Sequence, residues 1–127
     1  MPSFGRARTA VVIDDHAGLL GMIVEMLEHE GWRVSGFQRV DDALAYIRAT
    51  LPDLVLTDLH VGEASGAALA RELRLDPATA DITLVAMSGR VGPTPELGEL
   101  FDEHLSKPIE ITGLARVLGL AIARRRT

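Results

Sequence analysis

Residues 10–15 read AVVIDD, a short apolar run that ends in two carboxylates. An apolar run rich in Val and Ile predicts a strand that is buried on both faces. The pattern recurs at 54–58, which read LVLTD, so that Asp58 also follows a predicted strand. Because ligand sites in parallel sheets lie at the carboxyl ends of the strands, Asp14, Asp15 and Asp58 are expected to meet at one edge.

Helical spacing of apolar residues follows each predicted strand, and glycine or proline separates the segments. Strands are expected at 10–13, 32–37, 54–57, 82–87 and 103–106. Helices are expected over 16–29, from a cap at Asp41 to Thr50, from a loop at 62–66 to Leu75, briefly after Thr94-Pro95-Glu96, and through 114–122. Five alternations of strand and helix predict an α/β fold with a parallel sheet covered on both faces.

The bulk composition limits the class of protein. The 127 residues suit one domain, and a net charge of −5 argues against non-specific nucleic-acid binding. The chain has no cysteine, which excludes disulfides and thiolate metal sites and makes the cytoplasm the expected location. No stretch approaches the roughly 18 apolar residues of a membrane span, so no membrane association is expected.

The polar residues at the strand ends match the needs of phosphoryl chemistry. Carboxylates bind Mg²⁺, and an ionised carboxylate can act as a nucleophile that forms an acyl phosphate. Ser88 follows the fourth predicted strand and Lys107 follows the fifth, where a hydroxyl and an ammonium could hold phosphoryl oxygens. Each residue alone has an ordinary explanation, such as a helix start or a loop. Their joint occurrence favours a phosphoryl site.

Four pieces of the chain together resemble the CheY-like receiver domain of two-component response regulators. They are Val12-Ile13-Asp14-Asp15-His16, Val55-Leu56-Thr57-Asp58-Leu59, Met87-Ser88-Gly89 and Leu105-Ser106-Lys107-Pro108. The resemblance covers residues 8–123 and leaves an N-terminal tail at 1–7 and a basic tail at 124–127. It implies a flavodoxin-like, doubly wound (βα)₅ fold whose five parallel strands have the order 2-1-3-4-5.

The resemblance also implies a phosphoacceptor and a metal site. Asp58 would accept the phosphoryl group. Mg²⁺, or Mn²⁺ in its place, would be held by Asp15 directly, by Asp14 mostly through water, by Asp58, and by the backbone carbonyl of His60. The sequence therefore predicts a cation-dependent modification at the edge of the sheet.

The remaining family positions would transmit the signal. Ser88 would follow the phosphoryl group, Lys107 would pair with it, and the Lys107–Pro108 bond is expected to be cis. His104 stands where the family has an aromatic switch residue; it is a variant switch, a pH-sensitive contact or an ordinary edge-strand residue. Val61-Gly62 replaces the usual Met-Pro, which predicts a looser loop. The short stretch between Ser88 and Lys107 predicts a curtailed fourth helix.

By this resemblance the chain takes a phosphoryl group from a sensor histidine kinase or a histidine phosphotransfer protein and switches conformation. It would not be an enzyme beyond its own phosphorylation and dephosphorylation, and would act as a monomer or weak dimer on a downstream protein, without direct nucleic-acid contact. It would be a stand-alone regulator or a receiver segment of a longer protein. Two alternatives stay open: a degenerate receiver that serves as a binding scaffold, and a haloacid-dehalogenase-like phosphatase, whose paired Asp are usually separated by one residue.

Overall fold

The computed structural model describes residues 7–89 and 94–126. The first half of the chain contains β1 (Thr9–Ile13), α1 (Ala17–His29), β2 (Arg33–Phe37), α2 (Val40–Thr50) and β3 (Leu54–Asp58). A small hairpin follows, made of β4 (His60–Val61) and β5 (Ala64–Ser65). The second half contains α3 (Gly66–Leu75), β6 (Thr83–Ser88), α4 (Pro95–Leu100), β7 (Glu103–Ser106) and α5 (Ile111–Arg126).

Five parallel strands form one sheet in the order β2-β1-β3-β6-β7. With β6 and β7 as its fourth and fifth strands, this is the predicted order, and the predicted doubly wound α/β class is confirmed. The register aligns Ile13 with Thr57, and Asp58 with Met87. The carboxyl ends of the central strands therefore lie at nearly the same level.

The sheet separates two apolar clusters, as expected for central strands that are buried on both faces. Val12 and Leu56 point to the side covered by α1 and α5, while Val11 and Val55 point to the side covered by α2 and α3. Alternate residues of each strand thus serve opposite layers. Within the described part of the chain, no helix is long and apolar enough to cross a membrane.

The first residues of α4 and α1 can be compared with the predicted helix starts. Thr94 caps α4 by accepting a hydrogen bond from the Leu97 N–H at 3.2 Å, and α4 has only six residues, so both predictions for this helix are confirmed. His16, expected inside the first turn of α1, is instead its N-cap, where Nδ1 accepts from the Leu19 N–H at 3.1 Å. The stretch from Gly89 to Pro95 is rich in glycine and proline, which predicts irregular structure, but it falls largely on 90–93, outside the described residues.

The predicted cap at Asp41 is wrong. Helix α2 begins at Val40, and its N-cap, Arg39, makes no side-chain capping hydrogen bond. Asp41 lies in the first turn, where its charge still complements the helix dipole. An acidic residue is favourable at either position, so residue type alone did not fix the boundary.

The loop predicted at 62–66 is wrong in part, because Ala64-Ser65 pairs antiparallel with His60-Val61. Among the described residues, the turn between the two strands has a positive φ only at its first position, Gly62 (63°), which is typical of a type II′ turn. Val61 is buried and packs in the core on the α2 and α3 side. The greater mobility expected of this segment stays a prediction.

Arg74, near the end of α3, links the segments at the amino-terminal ends of β6 and β7. Its guanidinium donates to the carbonyl oxygens of Ala80 and Ile82 at 2.7 Å and of Leu100 at 2.9 Å, and to Asp102 Oδ2 at 3.0 Å. The same Asp102 oxygen accepts the N–H of Leu84 in β6 at 2.8 Å. One side chain thus fixes the end of α4 and the starts of β6 and β7.

Replacing Arg74 by Met keeps much of the apolar stem but removes the guanidinium that donates to these carbonyl groups and to Asp102. We expect the free energy of unfolding to fall by about 2–4 kcal/mol, measured by chemical denaturation. Arg48→Met is the matched control, because Arg48 is also helical and its partner within residues 7–89 and 94–126 is Glu72, in an exposed ion pair of 3.9 Å. It should change stability by less than about 0.5 kcal/mol. Equal losses in the two variants would contradict a structural role for the Arg74 network.

Candidate functional site

The sheet brings the predicted polar residues to one edge. Asp14 follows β1, Asp58 ends β3, Ser88 ends β6 and Lys107 follows β7. Main-chain hydrogen bonds set these positions: the Lys107 N–H donates to the Ser88 carbonyl at 2.8 Å, and the Asp14 N–H donates to the carbonyl of Phe37 at 3.0 Å. Parallel pairing therefore places residues that are up to 93 positions apart within reach of one another.

The ammonium of Lys107 bridges two carboxylates. Its Nζ lies 2.9 Å from Asp14 Oδ2 and 2.8 Å from Asp58 Oδ2. Partial burial would lower the pKa of Lys107, but the hydrogen bonds and charges of Asp58 and Asp14 more than offset burial, so the net pKa is raised. Lys107 therefore stays charged at neutral pH and holds the two carboxylates together.

The same carboxylates are held from the other side by backbone N–H groups. Asp14 is fully buried, and its Oδ1 accepts from the His16 N–H at 2.9 Å. Asp58 Oδ1 accepts from the His60 N–H at 3.2 Å. Each carboxylate thus has one oxygen toward Lys107 and one toward the backbone, which fixes its orientation. Asp58 is nearly buried, with an exposed fraction of 9%, so only a small part of it reaches solvent.

Asp14, Asp15 and Asp58 have the chemistry of a cation site. Each offers a carboxylate oxygen, and these oxygens lie within 4.8 Å of one another. Three carboxylates outnumber the single ammonium, and hard oxygen ligands are those that Mg²⁺ prefers. Because the His60 N–H points at Asp58, the His60 carbonyl is expected on the same side of its strand. The residues present fit a divalent cation.

The two predicted switch residues lie beside this cluster. Ser88 has an exposed fraction of 6% at the end of β6, next in the sheet to the strand that leads to Lys107. His104 lies in β7 opposite Ala86 and is half-buried. Among the described residues, nothing accepts from or donates to its buried Nε2. His104 also lines a cavity of about 260 Å³ with Leu97 and Phe101.

Two glycines that sequence reasoning treated only as loop residues contribute to the site. Gly66 begins α3 so close to β3 that a Cβ there would collide with the carbonyl oxygen of Asp58. Gly62 donates its N–H to Asp15 Oδ2 at 3.0 Å. The available signal in the sequence was a pair of glycines four residues apart after Asp58, which indicates a turn but not the atoms that the turn contacts. The Lys107–Pro108 peptide bond is cis, as predicted.

Comparison with known proteins agrees with this geometry. Residues 10–118 match the family model described as the response regulator receiver domain. The chain is 28% identical over 120 residues to the phosphate regulon transcriptional regulatory protein PhoB of Pseudomonas aeruginosa, covering 92% of this chain and 52% of that protein. It is 32% identical over 101 residues to the transcriptional regulatory protein CreB of Escherichia coli, covering 79% of this chain and 44% of that protein. The chain thus spans about half the length of these relatives.

Solved structures show the same fold. A CheY-like response regulator receiver domain from Methylobacillus flagellatus superposes with a TM-score of 0.82 at 31% identity, covering 91% of this chain and 99% of that one. A response regulator receiver domain protein from Clostridium thermocellum gives a TM-score of 0.82 at 24% identity, covering 94% and 97%. The similarity to the Clostridium thermocellum protein shows only that the fold is the same.

Replacing Gly66 by Ala should damage the site and the fold together, because the new Cβ would press on the Asp58 backbone. We expect a loss of about 2–3 kcal/mol in the free energy of unfolding, measured by urea denaturation. Gly119→Ala is the control, since Gly119 is an exposed residue of α5 with open space around its Cα. That change should stabilise the protein by about 0.5–1 kcal/mol. A neutral Gly66→Ala would contradict the close approach of α3 to Asp58.

Proposed function

The chain belongs to the response regulator receiver family, and on that premise we propose that it accepts a phosphoryl group on Asp58 and signals by a change of conformation. The observation that carries this proposal is the bridge from Lys107 to Asp58 and Asp14. A carboxylate that reaches solvent in part, beside a fixed ammonium and an acidic cluster, has the parts needed to receive a phosphoryl group. The donor would be a histidine kinase or a histidine phosphotransfer protein.

In the proposed reaction an Asp58 oxygen attacks the phosphorus of a phosphohistidine. An O–P bond forms as the P–N bond breaks, and the bonding electron pair leaves with the imidazole of the donor. Asp14, Asp15 and Asp58, with the His60 carbonyl, would hold Mg²⁺ or Mn²⁺, which neutralises charge on the phosphoryl oxygens when bound. Lys107 supplies a second positive charge, and its position in the resting site already faces Asp58.

The signal would pass through Ser88 and His104. Phosphorylation adds negative charge at Asp58, and the Ser88 hydroxyl would move to donate to a phosphoryl oxygen. A buried polar atom without a partner costs about 1–3 kcal/mol. His104 Nε2 has no partner among the described residues, so its resting position would be unfavourable. A second rotamer that gives this nitrogen a partner would be favoured once the neighbouring strand end rearranges. His104 is therefore proposed as a variant of the aromatic switch.

We further propose a cytoplasmic signalling module that turns over no other substrate and acts on a protein target, as a monomer or weak dimer. Some relatives are named DNA-binding response regulators, such as MtrA of Mycobacterium tuberculosis, but this chain covers only 44% of that protein. DNA binding is therefore a property of those longer proteins. The intact acidic cluster and Lys107 argue against a degenerate scaffold.

Incubation with Mg²⁺ and acetyl phosphate should add one phosphoryl group, seen by mass spectrometry as a gain that survives acid and is removed by hydroxylamine. Asp58→Asn should show no gain because its amide is not a nucleophile. Asp41→Asn is the matched control, since Asp41 is an exposed carboxylate in α2, and it should be modified like the wild type. An unmodified wild type, or equal modification of Asp58→Asn, would refute the proposal. Rapid turnover of a phosphomonoester would support the phosphatase instead.

Replacing Lys107 by Ala should preserve Mg²⁺ binding but uncouple phosphorylation from the switch, because no ammonium then follows the phosphoryl group. The measurement is the NMR shift of the His104 ring before and after phosphorylation, which should change in the wild type and stay constant in the variant. Arg116→Ala is the control, since Arg116 is an exposed cation paired with Glu103 beside His104. It should keep the change. If phosphorylation changes the His104 ring shift in Lys107→Ala as it does in the wild type, the signalling role proposed for Lys107 is contradicted.

A further inference from the structure

Asp15 is held by two segments that are distant in sequence. Its main-chain carbonyl accepts from Gln38 Nε2 at 3.2 Å, just before α2. Its carboxylate Oδ2 accepts from the N–H of Gly62, 47 residues later in the chain, at 3.0 Å. Asp15 therefore ties the start of α2 to the β4–β5 hairpin. Because Asp15 itself is exposed, the hydrogen bond from Gly62 rather than packing sets the direction of its carboxylate.

The turn conformation makes the Gly62 N–H available. Val61 and Ala64 are the paired residues that close the hairpin, and Gly62 is the first of the two turn residues between them. The N–H at this position takes no part in the hairpin ladder. The φ of 63° at Gly62 suits glycine, and nothing within 4 Å would meet a Cβ there. The constraint at this position is therefore the backbone conformation and its N–H, not space.

The residue type at position 62 decides whether this hydrogen bond can exist. The receiver pattern has proline here, and proline carries no N–H and holds φ near −65°. Gly62 thus supplies a donor that the usual residue could not supply. The contact with Asp15 is a consequence of the Val61-Gly62 departure, which the sequence suggested would only loosen the loop.

We propose that Gly62 is a positioning residue for the cation site: its N–H orients the Asp15 carboxylate, so that Mg²⁺ binding and order in the β4–β5 hairpin favour each other. This inference rests on the proposed function, since it assumes that Asp15 binds the cation. A hydrogen bond to one oxygen of a carboxylate fixes the other oxygen for the metal. By linkage, a cation that needs this orientation must in turn strengthen the Gly62 hydrogen bond.

The first arm of the test compares Mg²⁺ affinities by NMR titration. Gly62→Pro removes the donor and should raise the Kd for Mg²⁺ by about three- to tenfold. Gly62→Asn keeps the N–H and tolerates a positive φ, so its Kd should stay within about twofold of wild type. Each variant is taken as folded if the NMR chemical shifts of its core strand β6 match those of the wild type. Equal Kd values for wild type and Gly62→Pro would overturn this inference but leave the proposed function standing.

The second arm needs no variant at position 62. The Gly62 amide should exchange with solvent more slowly when Mg²⁺ is added to the wild type, and faster than wild type in metal-free Asp15→Ala, which lacks the acceptor. Exchange that is unchanged by both treatments would overturn the inference. If the amides around Asp14, Asp15 and Asp58 of the wild type do not respond to Mg²⁺ at all, the cation site of the proposed function fails, and this inference falls with it.

Discussion

The bridge from Lys107 to Asp14 and Asp58 is the interaction on which the site depends. Asp14 is fully buried, and a buried carboxylate without a partner would be strongly destabilising. Since β6 separates β7 from β3, the Lys107 ammonium must reach across about 10 Å of sheet, past the strand end that carries Ser88. The strand order therefore places the strand end that carries Ser88 between the strand end that carries Asp58 and the one that leads to Lys107.

The two edges of the sheet are held by different means. Arg74 fixes the amino-terminal ends of β6 and β7 by donating to uncharged carbonyl acceptors and to one carboxylate, so the charge of this guanidinium is matched by Asp102. At the other end, Asp14 and Asp58 share Lys107 while Asp15 lies close by, so three carboxylates face one ammonium and leave excess negative charge that a cation can neutralise. The same sheet thus has a fixed end and an end whose charge balance depends on what binds there.

The two departures from the receiver pattern lie on opposite sides of Asp58. His104 puts a buried nitrogen without a described partner at one side, and Gly62 adds a backbone donor at the other. Both bear on the hydrogen bonding around the site.

The sequence by itself determined the strands, their order through resemblance, and the residues of the acidic cluster. These features can be predicted because an apolar run that ends in charged residues is a local sequence pattern. Parallel pairing of the strands then brings their carboxyl ends together. Only the tertiary structure decided the 60–65 hairpin, the Gly62 bond to Asp15, the Arg74 network and the burial of His104 Nε2. Each depends on groups that come from distant segments, and a directional hydrogen bond between them leaves no periodic trace in the chain.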